Sequence, residues 1–84
     1  MKIKIFKNKK KSDYDDWSIW ECPPSQFNWE YEKEEHCFII EGEIAVKSDN
    51  ELVNIISGDY VIFPKGLKCF WRVEKSVKKY YMFK

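Results

Sequence analysis

The sequence predicts an all-β fold, a sandwich or barrel of short antiparallel strands. Three observations predict it. Apolar residues recur at period two along nearly all of the 84-residue chain. Clusters of Gly, Pro, Asn, Asp and Ser mark turns roughly every six to ten residues. No stretch of ten or more residues carries apolar positions at the 3.6-residue period of an amphipathic helix. About eight to ten short strands are implied, the pattern of sandwiches and barrels.

The elements follow in order. Ile3 and Ile5 alternate with Lys2 and Lys4, a strand with one wet face whose lysines suit a sheet edge. Residues 7–12 are a polar connection, and residues 13–17 form a turn or single helical turn. Ile19, Trp20 and Cys22 make a short strand stopped by Pro23-Pro24, because proline cannot donate to a ladder. Residues 26–31 form the next strand, with a charged corner at 32–34. Strands at 37–41 and 43–47 flank Gly42, and Ser48-Asp49-Asn50 signals a hairpin. The strand at 52–56 ends at Ser57-Gly58-Asp59, where glycine accepts positive φ. The strand at 60–63 ends at Pro64-Lys65-Gly66, with proline pre-setting φ for the turn. Residues 68–74 and 77–83 are expected to pair as a hairpin around Lys75-Ser76.

The length allows one domain, residues 1–84, and no separate catalytic lobe. Such a small domain depends on dense packing, and four Trp, five Tyr and six Phe supply it. No run of eighteen apolar residues exists, so no membrane span is expected. The basic start lacks an apolar signal core, and a cytoplasmic protein is expected. Cys22, Cys37 and Cys69 are odd in number and have no C-x-x-C spacing, so neither a disulfide framework nor a zinc ribbon is indicated. The net charge of +1 hides blocks of +6 over residues 1–11, −7 over 13–35 and +6 over 65–84. The acidic middle argues against a nucleic-acid groove, whereas opposed blocks suit contact between two copies, so a homodimer is the expected assembly.

Two stretches share a frame: Trp29-x-Tyr31-x3-Glu35-x6-Gly42 and Gly58-x5-Pro64-x-Gly66-x2-Cys69. With Phe27-Asn28, Cys37-Phe38-Ile39-Ile40-Glu41, Val61, Phe63, Leu67, Trp71 and the upstream Trp17-x-x-Trp20, the chain resembles the small single-domain cupins of the DUF861 or Cupin_3 family. These are often labelled as ureidoglycine aminohydrolase-like, and the resemblance covers about residues 15–83. It implies a small antiparallel jelly-roll barrel, and it points weakly to activity, since cupins include hydrolases, dioxygenases, isomerases and binders. In the aminohydrolase that lends the label, manganese is held by four side chains and activates the substrate. By position those places are Trp29, Tyr31, Glu35 and Cys69 here, where three metal-ligand identities of the family have changed. Trp offers no lone pair and neutral Tyr is a poor ligand. No cofactor is therefore expected, while a divalent metal stays open through Glu35, Cys37 and Cys69, a carboxylate and two thiols that could converge on thiophilic zinc or iron.

The residues themselves suggest an aromatic cavity. Residues two apart on a strand share a face, which pairs Trp29 with Tyr31, Cys69 with Trp71, Val61 with Phe63 and Glu35 with Cys37. Trp29, Tyr31, Glu35, Cys37, Phe63, Cys69 and Trp71 are the expected ligand contacts, and Glu35 the expected acid/base, its carboxyl desolvated among rings. His36 has the opposite parity and is expected at a surface or interface. Cys69 is a possible nucleophile with no His on its face as base. The plainer alternative is that the rings fill the barrel. Three readings remain open: a metal-independent cupin binding a small molecule; a cupin hydrolase or isomerase on a ureide-like or sugar-like metabolite with Glu35 as acid/base; and a structural dimeric barrel with a filled interior.

Overall fold

Two long strands carry the fold and each serves both halves of the sheet. In the computed structural model, which describes residues 2–7, 14–49 and 51–84, the strands are β1 (Lys4–Phe6), β2 (Ser18–Cys22), β3 (Ser25–Glu30), β4 (Glu35–Lys47), β5 (Leu52–Ile56), β6 (Tyr60–Phe63) and β7 (Lys68–Phe83). All the pairings are antiparallel. The order β1-β6-β4-β7-β2 forms the main path, with β5 added to β4 and β3 to β7. The first part of β4 pairs with β6 and its second part with β5. The first part of β7 pairs with β3 and its last part with β2. Rings from the two halves meet inside: Phe63 of β6 and Trp20 of β2 lie 5.7 and 5.9 Å from Trp71 of β7, centroid to centroid. The sheet is thus folded over on itself around one core.

The hairpin expected at Lys75-Ser76 does not form. Residues 68–83 run on as one strand, and both of its halves pair with β4, from Glu35↔Phe83 to Lys47↔Phe70. The polar pair Lys75-Ser76 marks a bend where the strand passes between the two halves. Opposite it, Gly42 has φ of +110° and packs so closely that a Cβ would meet Ser76 O at 2.6 Å and Val77 Cα at 2.7 Å. The register shifts here. The inward residues of β4 are accordingly Glu35, Cys37 and Ile39 before the bulge and Ile44 and Val46 after it. One extra residue lets both halves bury the correct face. Merging at Gly42 and at Lys75-Ser76 is why the strands are fewer and longer than the turn signals suggest.

The expected edge position of the lysine-bearing first strand is found, since among the described residues β1 pairs only with β6. Asn8–Asp13 and Asn50 lie outside the described residues, and with them most of the expected polar connection. A tight turn follows at Tyr14, closed by the Trp17 amide donating to Tyr14 O at 3.0 Å. Tyr14 stacks on Phe38 at 4.8 Å and contacts Tyr60 and Tyr80. This aromatic cover explains why the first five residues of β4 are buried on both faces.

Candidate functional site

The first residue of β4 and the last third of β7 bring a carboxylate and an ammonium together inside the barrel. Lys79 Nζ donates to Glu35 Oε2 at 2.6 Å, with only 6% and 5% of the two side chains exposed. The ammonium lies 4.8 Å from the Trp71 ring centroid, 4.9 Å from Trp20 and 6.0 Å from Tyr81. Lys79 is the charged residue of this cluster that the sequence pattern does not single out. The signal was present, since Val77, Lys79 and Tyr81 share a parity that turns inward, but lysine is among the residues least often buried.

Around the pair is a cavity of about 220 Å3 walled by Trp20, Phe27, Trp29, Trp71, Tyr81 and Phe83, with Glu35 and Lys79 as its charged lining. Phe27 stacks on Trp71 at 5.8 Å with 17° between planes, and Trp20 stands edge-on to both. Trp29 and Phe83, 49% and 46% exposed, carry the walls to the surface. A wider groove of about 570 Å3 beside Asn28, Trp29, Lys47 and Lys68 holds neither buried charge.

Of the residues expected from sequence, Trp29, Glu35 and Trp71 line this cavity. Tyr31, Cys37, Phe63 and Cys69 lie in the packed core behind it. β3 ends at Glu30, so Tyr31 is not on the strand with Trp29. The turn following β6 instead holds it: its amide donates to Leu67 O at 2.9 Å, and its carbonyl accepts from Gly66 at 2.7 Å. Its ring stacks on Phe63 at 4.8 Å, nearly parallel at 8°. Cys69 borders the wider groove together with Trp29, and the smaller cavity opens toward Trp20, Tyr81 and Phe83.

Burial governs the acidities. It pushes the Cys37 thiol up to about 12, with Lys79 pulling it down and Glu35 raising it. It pushes Cys69 up to about 11, eased by the nearby Trp71 indole. The Tyr31 phenol is driven well above its ordinary range by burial, then by the fields of Glu35, Cys37 and Cys69. Although near enough to ease both neighbours, the Trp71 Nε1–H is buried with no acceptor at hydrogen-bonding geometry among the described residues.

His36 faces away from the cavity, as its parity requires, but it is not at the surface. It is 8% exposed, with Nε2 2.6 Å from Glu34 Oε2 and Nδ1 2.8 Å from the Tyr60 hydroxyl. The aromatic cover from Tyr14 encloses that face.

With the barrel and its cavity defined, comparison with known proteins decides the lineage. The profile of the EutQ-like cupin domain, Cupin_3, matches residues 9–81. This chain belongs to the Cupin_3 family. A DUF861 family protein from Thermotoga maritima is similar in structure, with a TM-score of 0.93 and 36% identity over 99% of this chain and 100% of that one. A DUF861 protein from Pseudomonas syringae has 24% identity and a TM-score of 0.72, covering 79% of this chain and 29% of that one. The EutQ protein of Clostridium difficile, at 19% identity and a TM-score of 0.72, covers 96% of this chain and 66% of that one. No curated protein matches. The fold is therefore a cupin barrel.

The residues of this cupin do not fit the divalent cation that its fold family commonly holds. Trp29 has no lone pair, and a neutral phenol such as that of Tyr31 is a poor ligand. An oxygen of Glu35 is already taken by Lys79, whose positive charge repels a second cation. Glu35, Cys37 and Cys69 do not gather into a ligand set either: among the described residues no group of three His, Cys, Asp or Glu side chains is placed to hold a metal. Among those residues no helix is long and apolar enough to cross a membrane.

Proposed function

We propose that this cupin binds a small metabolite in the aromatic cavity without a metal centre, using the rings as walls and the Glu35–Lys79 pair as the polar contact. The observation carrying this reading is a mostly apolar, ring-lined cavity whose lining contains the barrel's buried ion pair. A concave apolar site with a few fixed polar groups is the general form of a small-molecule site. At about 220 Å3, the cavity is below the roughly 300–1,000 Å3 of drug-sized sites, so the ligand is small. Trp29, Trp71 and Glu35 touch it, and Tyr31, Cys37, Phe63 and Cys69 hold the wall from behind. An acid/base role for Glu35 draws less support, because its carboxylate is engaged by Lys79, and Cys69, with its thiol pushed up to about 11, is a poor nucleophile.

The test is thermal stabilisation and tryptophan fluorescence with a panel of small planar carboxylates, amides and ureides. A compound that binds should stabilise the natural chain, and Trp29→Ala and Phe83→Ala, both at the half-exposed rim, should lose that response while staying folded. Undiminished stabilisation of both variants would place the binding elsewhere.

A further inference from the structure

Three rings and one carboxylate converge on one ammonium group. Lys79 Nζ touches Glu35 at 2.6 Å and sits over Trp71, Trp20 and Tyr81 at 4.8, 4.9 and 6.0 Å. Ring faces combined with a carboxylate are how proteins recognise ammonium ligands, since the π quadrupole attracts the cation and the carboxylate supplies a charged hydrogen bond. The same rings line a cavity connected to the surface past Trp29 and Phe83.

We infer that Glu35, Trp20, Trp71 and Tyr81 form an ammonium-binding cage whose resident cation is the protein's own Lys79. The tether explains both the occupancy and the mismatch with a divalent ion. A cation on the same chain acts at a high effective concentration, so no free amine or metal ion competes with it. Removing the tethered cation leaves a vacant cage selective for small primary ammonium ions. This inference is independent of whether another metabolite enters the cavity, because it concerns the side of the pair that the protein fills itself.

Lys79→Ala removes three methylenes and an ammonium, the equivalent of n-propylammonium, which is the probe. In Lys79→Ala, n-propylammonium chloride should raise Tm saturably, by about 4 °C or more over equal sodium chloride. n-Propanol, of the same shape without charge, should not reproduce it, and the natural chain should not respond. Adding Glu35→Gln to Lys79→Ala should abolish the preference for the cation over the alcohol. Equal stabilisation by n-propanol would mean simple cavity filling and overturn the inference, as would no effect beyond that of sodium chloride. If Lys79→Ala folds too poorly to melt, its refolding yield should rise with n-propylammonium and not with n-propanol. In the natural chain, nuclear magnetic resonance should place the Lys79 ε-methylene protons upfield through the ring currents. Unshifted ε protons would refute the cage directly.

Discussion

Glu35 and Lys79 meet at 2.6 Å with both side chains nearly out of contact with water. Their backbones are not opposite one another: Glu35 is opposite Phe83, and Lys79 opposite Ile39. The long lysine side chain therefore reaches along the inner face, over the rings, to the start of β4.

That pair sets the first prediction. Removing one partner leaves the other charge buried and uncompensated, at a cost of about 3–5 kcal/mol. Glu35→Gln and Lys79→Met should each show it by urea unfolding. The double variant Glu35→Gln/Lys79→Met should recover most of the loss, because an apolar chain of similar length then lies among rings. Additive losses would mean that the two side chains do not act as a pair. For the same reason Glu35→Gln is not a fold-neutral probe of binding.

The aromatic walls separate into rim and core. Trp29 is half-exposed and Trp71 is buried, stacked on Phe27 and near Phe63. Trp71→Ala should cost about 3–5 kcal/mol, and Trp29→Ala only about 1 kcal/mol. Midpoints of chemical unfolding measure both, and similar costs would contradict the placement of the rings.

Gly42 and Gly58 offer an internal comparison. Both have positive φ, +110° and +91°, yet a Cβ at Gly42 would collide with the backbone of Ser76 and Val77, whereas a Cβ at Gly58 would meet none of the described residues within 4 Å. Gly58→Ala should cost about 1 kcal/mol from its backbone alone. Gly42→Ala adds the collision and should cost at least about 3 kcal/mol, since the two long strands must separate where they bend. Equal effects would show that the close approach at the bend is not needed.

Alkaline pH should weaken the fold through its thiols. Cys37 and Cys69 rise from 9.0 to about 12 and about 11 on folding. The unfolded chain therefore loses these protons first as pH increases. Their stabilising contribution is complete below about pH 9 and is lost as pH rises through about 11 and 12. Each thiol contributes a slope of up to about 1.4 kcal/mol per pH unit in that window. Unfolding free energies measured across it should fall, and less steeply in Cys37→Ala and Cys69→Ala. A slope unchanged in both variants would rule out the thiols as its source.

Much of the architecture was legible because a β-strand writes its faces at period two. Alternation located β2, β5 and β6 to within a residue or so, and the Gly58 and Pro64–Gly66 signals fell at real turns. The same rule failed at Lys75-Ser76, where two polar residues look like a turn but serve as a bend in β7. Only the matching bulge at Gly42, on a strand distant in sequence, makes that bend possible. Tyr31 was misassigned to its strand because its backbone partners, Gly66 and Leu67, belong to a later turn.

The sequence by itself determined the β class and the inward rows of Glu35 with Cys37, Val61 with Phe63 and Cys69 with Trp71, since period and spacing are local properties of the chain. The tertiary structure decided what Glu35 contacts. Its partner lies 44 positions away, and burying a lysine is favourable only where a carboxylate and ring faces converge on it. That convergence is created by folding the sheet over on itself, and no local pattern records it. The same closure left a cavity beside Trp20 and Tyr81.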